Sequence, residues 1–329
     1  MNLKEEIIKL KEELDVTIVA HFYQRDEVFE LADITGDSLE LAKKAMETSS
    51  KYILFCGVGF MGESVKVLSP QKRVLMPKIA CCAMARMIDV DYFDESLAKL
   101  NAMGVATEEL LPITYINSSA AVKARVGEMG GMVCTSSNAY KIIEKGLKSG
   151  KKIFFVPDRC LGQNFAKSLN LKSSVIGDGS DPKEADIICY NGFCSVHQLF
   201  STDDIEFYRN KYPDILIAVH PECDPKICDM ADFVGSTSQL IKFIKELPIE
   251  QKIAVGTEYN MVNRLREKNT YILSSTKPEC HTMNETTLED VYKCLKDIKD
   301  GKEVFDTEIF VNENVTKWAQ VALQRMFEV

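Results

Sequence analysis

The sequence predicts an α/β protein built from several small units with parallel sheets. Three observations predict it. Short apolar runs alternate with helix-spaced stretches along the whole chain. Three windows of the chain carry similar sets of strand ends. A cysteine (Cys82, Cys194 or Cys280) closes each window, which points to three units converging on one shared metal site. In parallel sheets ligands bind beyond the carboxyl ends of the strands, so those ends hold the candidate site.

The elements follow in order. Leu3, Ile7, Leu10 and Leu14 are helix-spaced among charges, which reads as a surface helix and not as a signal peptide. Thr17-Ile18-Val19-Ala20 reads as a buried strand ending at His21-Phe22-Tyr23-Gln24. Glu27 to Met46 is helix-spaced through Leu31, Leu39, Leu41 and Ala42, with Gly36 breaking it. Ile53-Leu54-Phe55-Cys56 is the next strand, ending at Gly57-Val58-Gly59, and Val74-Leu75-Met76-Pro77 follows. A second window opens at Ile113 to Ser119 and continues through Cys134-Thr135-Ser136-Ser137-Asn138 and Ile153 to Asp158. A third opens at Leu216 to Cys223 and continues through Gly235-Ser236-Thr237-Ser238 and Ile253 to Glu258. The reading pairs Gly57-Val58-Gly59 with the turns at 134–138 and 235–238, and Val74 to Pro77 with the strands at 153–158 and 253–258. The intervals from strand end to cysteine are 61 (His21 to Cys82), 77 (Asn117 to Cys194) and 60 (His220 to Cys280), similar but unequal. This is a repeat of fold and not of sequence.

Composition bounds the function. The 329 residues suffice for two or three domains, and 46% hydrophobic residues fill ordinary cores. A net charge of −9 is the wrong sign for neutralising a nucleic-acid duplex. No apolar run reaches the roughly 18 residues of a membrane span, so a cytoplasmic protein without a membrane or nucleic-acid partner is expected. The 11 cysteines are odd in number and include no C-x-x-C pair. A disulfide framework is not expected.

Four histidines exist: His21, His197, His220 and His281. His220 and Glu222 share one turn and make an acid–base pair chemically natural, since imidazole titrates near neutrality and a carboxylate can orient it. The hydroxyl-rich turns at 135–138 and 235–238 precede helical runs. They serve as N-caps, as anion sites on free backbone N–H groups, or as both. No P-loop is present, and Gly57 and Gly59 lack the rest of a dinucleotide fingerprint. Thiolates suit iron–sulfur clusters or zinc, and three of them leave one coordination position open.

Taken together, eight ordered stretches resemble the quinolinate synthase family, the A protein of NAD biosynthesis. They are His21-Phe22-Tyr23-Gln24, Gly36-Asp37-Ser38-Leu39, Phe60-Met61-Gly62-Glu63, Tyr115-Ile116-Asn117-Ser118, Thr135-Ser136-Ser137-Asn138-Ala139, Cys194-Ser195-Val196-His197, His220-Pro221-Glu222-Cys223 and Gly235-Ser236-Thr237-Ser238. The resemblance implies three α/β/α sandwich domains arranged with pseudo-threefold symmetry around a central active site. The expected domains are 1–84 with C-terminal helices from about 290 to 329, 85–195, and 196–289. It implies condensation of iminoaspartate with dihydroxyacetone phosphate to quinolinate, with loss of phosphate and water. It implies a [4Fe–4S] cluster on Cys82, Cys194 and Cys280, with one iron free as a Lewis acid. Cys82 is preferred to Cys81 because Cys82-Ala83-Met84-Ala85 matches the family's C-x-M-A pattern.

By the same resemblance His21, Ser38, Tyr115, Asn117, Ser136, Ser236 and Thr237 bind substrate, and Glu222, Tyr23, His220 and His197 move protons. A functional link to an L-aspartate oxidase or aspartate dehydrogenase is implied as the source of iminoaspartate. The pattern departs from the family at Gly59, at Arg159-Cys160 and at Asn284, which bears on anion handling. The competing readings are a zinc-dependent lyase on the same cysteines and a non-enzymatic iron–sulfur sensor.

Overall fold

A computed structural model describes residues 2–328. Every sheet pairing in it is parallel. The first unit contains β1 (Val16–His21), β2 (Ile34–Gly36), β3 (Tyr52–Cys56) and β4 (Arg73–Leu75), in the order β2-β1-β3-β4. The second contains β5 (Leu110–Tyr115), β6 (Met132–Cys134), β7 (Lys152–Val156), β8 (Ser173–Val175) and β9 (Ile187–Cys189), in the order β6-β5-β7-β9-β8. The third contains β10 (Leu216–Val219), β11 (Phe233–Val234), β12 (Ile253–Gly256) and β13 (Thr270–Ile272), in the order β11-β10-β12-β13. One plan therefore recurs three times, and the three-unit α/β architecture is what the sequence predicts.

Every residue of β1 and β5 is buried. That is why these strands read as unbroken apolar runs and not as alternating ones. Amphipathic helices cover the sheets. The helix Ser38–Glu47 begins with a reciprocal capping box between Asp37 and Glu40 and buries Leu41, Ala42 and Ala45.

One sequence assignment is corrected. Residues 27–46 do not form an interrupted helix: a short helix Asp26–Phe29 leads into β2, which pairs with β1 through His21 and Gly36. The counterpart of β6 and β11 is therefore β2, not the segment at Gly57. Val74-Leu75 belongs to β4, the fourth strand of its unit, so Gly57-Val58-Gly59 lies where β7 and β12 end. At three residues β2 is too short to show a period of its own beside the periodic helix Ser38–Glu47. The long middle interval is explained by the extra strand β8 before β9.

The last helices tie units together. Leu288–Lys299 packs on the N-terminal helix Leu3–Glu13, around Ile7, Leu10, Val291 and Leu295. Glu313–Phe327 lies on the helix Ala120–Glu128, on β6 and on the helix Gly59–Leu68, so it bridges the first and second units. Arg73 pairs with buried Glu308 and fixes the segment between them. No helix among the described residues is long and apolar enough to cross a membrane.

Candidate active site

The carboxyl ends of the three sheets face one cavity. His21, Tyr23, Ser38, Cys82, Tyr115, Asn117, Ser136, Cys194, His197, His220, Glu222, Thr237 and Cys280 all line it. These side chains reach the cavity from all three units. Ser236 is the exception among the sequence candidates. Its Oγ caps the helix Thr237–Glu246 by accepting the Gln239 amide, and its own amide donates to Gln239 Oε1 at 2.8 Å. Here the capping role takes the hydroxyl that the sequence reading assigned to substrate.

Each cysteine is delivered by the same local device. The amides of Gly59, Arg159 and Tyr259 donate to the carbonyls of Ala80, Gly192 and Pro278, at 2.8, 2.9 and 2.9 Å. Each of those carbonyls lies two residues before a cysteine. Each cysteine then heads a single helical turn, with its carbonyl accepting from Arg86, Gln198 or Asn284. The amides of Ala85, His197 and Met283, each three residues on, are directed at the sulfurs of Cys82, Cys194 and Cys280. Burial pushes all three thiols up, Cys82 to about 12. A bound cation would reverse that preference, and the amides would then stabilise the thiolates. Three sulfurs on one cavity, each met by a backbone donor, fit a thiolate-held metal group. Cys81, by contrast, is exposed and does not line this cavity. Cys194, His197 and Glu222 also offer ligand atoms within 4.8 Å of one another.

The acid–base groups are mutually bonded. Tyr115 Oη donates to Glu222 Oε1 at 2.6 Å, and His197 Nδ1 lies 2.9 Å from Glu222 Oε2. Burial opposes charge on Glu222, but the imidazoles of His197 and His220 and the bonds from His197 and Tyr115 outweigh it. They hold this carboxyl below the usual carboxylate range. Burial lowers His21 to about 4 and His220 to about 3 despite the nearby acids. Both imidazoles are therefore neutral near pH 7. In each the Nδ1 accepts an amide two residues on (Tyr23 at 3.1 Å, Glu222 at 3.3 Å), so Nε2 carries the proton. His220 Nε2 then donates to Ser136 Oγ at 3.2 Å. Burial, then the charge of Glu222, raises both Tyr23 and Tyr115, which keeps them as phenols.

Two residues absent from the sequence candidates organise this cavity. Asp37 lines it, caps the helix Ser38–Glu47 with Oδ1, and accepts Ser137 Oγ and Ser238 Oγ on Oδ2 at 2.8 and 2.7 Å. One carboxylate thus joins the turns of all three units. Thr257 places its hydroxyl between Tyr23 and His197. Asp37 had a visible signal as an N-cap before an apolar run, whereas Thr257 had none beyond its place at a strand end. Asn284 is drawn into a structural network, accepting from Asn260 at 3.0 Å and donating to Glu279 at 2.7 Å. Arg159 lies over the Phe193 ring.

The fold and site define a three-unit α/β enzyme whose candidate active-site cavity lies between the units and whose cysteine and histidine content suits a metal cofactor. The chain matches the family described as Quinolinate synthetase A protein over residues 5–328. It is 55% identical to the quinolinate synthase of Helicobacter pylori (strain HPAG1), covering 100% of this chain and 98% of that one. It is 40% identical to that of Acidobacterium capsulatum, over 95% of this chain and 88% of the relative. Identity to that of Streptomyces coelicolor is 37%, over 94% and 84%. The chain belongs to the quinolinate synthetase A protein family.

Proposed function

We propose that this protein condenses iminoaspartate with dihydroxyacetone phosphate to form quinolinate for NAD biosynthesis, releasing phosphate and water. The observation that carries the reading is the single cavity shared by Cys82, Cys194, Cys280 and the Glu222 acid–base cluster. The three cysteines would hold a [4Fe–4S] cluster, one to each sulfur-directed turn. When bound, that group supplies a Lewis acid at its iron without a protein ligand.

The protein's own residues do the rest. His21 and Ser38 receive the carboxylates of the aspartate-derived half, His21 through its Nε2–H. Asn117, Ser136 and Thr237 offer hydrogen bonds to the remaining anionic and hydroxyl oxygens. Glu222, held ionised, accepts a substrate proton, and Tyr115 and His197 orient it for that task. Tyr23 and His220, kept neutral and protonated by burial, are donors for departing oxygen. Placement of the cavity between the units would limit the access of water to a hydrolysable imine. An enzyme that oxidises aspartate, an oxidase or a dehydrogenase, would supply the imine.

The test is anaerobic purification with iron, sulfide and visible-spectrum analysis, paired with a quinolinate assay. About four irons and four sulfides per chain are expected, lost in Cys82→Ala, Cys194→Ala and Cys280→Ala but kept in Cys81→Ala, with quinolinate formed only by the loaded enzyme. The compact Cys194–His197–Glu222 group favours zinc as the second reading. Zinc that survives air, with no iron after reconstitution, would establish that reading and remove the cluster.

A further inference from the structure

We infer that Thr257 is a positioning residue that joins Tyr23 to His197 and so holds the acid–base chain from Tyr23 to Glu222 in place. This rests on the quinolinate-forming reading of the same site. Thr257 is fully buried just beyond β12. Its Oγ1 lies 2.9 Å from Tyr23 Oη and 3.1 Å from His197 Nε2. It therefore joins a side chain from the first unit to the turn that follows Cys194.

The chemistry of Glu222 fixes the direction of the bonds it receives. Glu222 already accepts Tyr115 Oη on one oxygen, and as a carboxylate it can only accept on the other. His197 Nδ1, 2.9 Å from that second oxygen, must carry the proton. The same N–H also faces Cys194 Sγ at 3.2 Å. Thr257 Oγ1 closes the other side, within hydrogen-bond reach of both His197 Nε2 and Tyr23 Oη. Tyr23 Oη also meets Thr237 Oγ1, 3.1 Å away. The side chains thus form one continuous line: Thr237, Tyr23, Thr257, His197, Glu222.

Without the Thr257 hydroxyl both ends lose definition. His197 Nε2 loses its hydroxyl partner, and Tyr23 Oη keeps only Thr237. Thr257 is not a lining residue of the cavity, so its effect passes through Tyr23 and His197 and falls on the chemical step rather than on substrate capture. The signature is a lowered kcat with little change in KM.

The experiment compares Thr257→Val, which keeps the shape and loses the hydroxyl, with Thr257→Ser, which keeps the hydroxyl, in the anaerobically purified holoenzyme. We expect kcat to fall about 10- to 100-fold in Thr257→Val, with KM within about twofold and iron content unchanged, and to recover in Thr257→Ser. Normal kcat in Thr257→Val, or equal losses in both variants, would overturn the inference. A second arm does not depend on activity. Urea midpoints of Thr257→Val, Tyr23→Phe and the double variant form a cycle, and a non-additive midpoint shift is expected. Additive shifts would overturn the joint itself. A wild-type protein that forms no quinolinate would instead overturn the reaction, while the cycle still decides whether the joint exists.

Discussion

Lys123 is a lysine with no exposed surface, buried in the helix Ala120–Glu128 at the border of the first two units. Its Nζ donates to Ile116 O at 2.8 Å and to Ser118 O, the carbonyls on either side of cavity-lining Asn117. Burial lowers it from 10.5 to about 7, with Glu63 partly opposing. That displacement corresponds to about 5 kcal/mol of linkage. Because the folded value is the lower one, the unfolded chain binds more protons between these pH values. The contribution is complete above pH 10.5 and is lost as pH falls through about 7.

Lys123→Met abolishes this pH dependence. It also strips Ser118 O of its donor at about 1–3 kcal/mol, while Ile116 O keeps the Ser118 amide. The wild type should therefore be more stable by about 1–3 kcal/mol above pH 10 and less stable by about 2–4 kcal/mol at pH 7. Urea unfolding of both proteins across pH 6.5–10.5 reads the difference, in which contributions common to both cancel. Parallel curves with no crossing would refute the argument.

Two further outcomes are expected. A Cβ at Gly127 would collide with the Trp318 carbonyl in the C-terminal helix. Gly127→Ala should cost about 1–3 kcal/mol in urea unfolding and make Glu313–Phe327 the first segment cut in limited proteolysis. Glu222→Gln, on the proposed reading, should lower kcat at least ~100-fold with iron and sulfide content unchanged.

Much of the architecture was legible because parallel strands buried on both faces leave continuous apolar runs, as at Ile53-Leu54-Phe55-Cys56. The missing element was β2. Three residues between helices carry no period, and the strand is specified by its pairing to β1 instead. The candidate site was legible where the cavity meets strand ends, as with His220 and Glu222 or Tyr115 and Asn117. It was not legible where one hydroxyl can serve two purposes. Ser236 and Thr237 are adjacent and chemically alike, yet the capping box takes the first and the cavity receives the second. Thr257 was invisible because its partner Tyr23 lies 234 positions away and no local pattern encodes a contact between units. Asp37 was within reach as a helix cap, but its link to Ser137 and Ser238 exists only once the units meet.

The delivery of one cysteine by each third of the chain has a consequence for biosynthesis. Translation releases the first and second units, with Cys82 and Cys194, before the strand that leads to Cys280 has been made. The first unit is itself completed by Leu288–Lys299 and by Glu308, which follow Cys280, so the three sulfur-bearing turns come together only when the last helices have emerged. On the proposed reading, loading of a group that needs all three must therefore wait until the last unit has docked. Until then the nascent protein is vulnerable to oxidation at the positions it depends on most. A chaperone or scaffold serving this chain would recognise a nearly complete molecule and not a partial one.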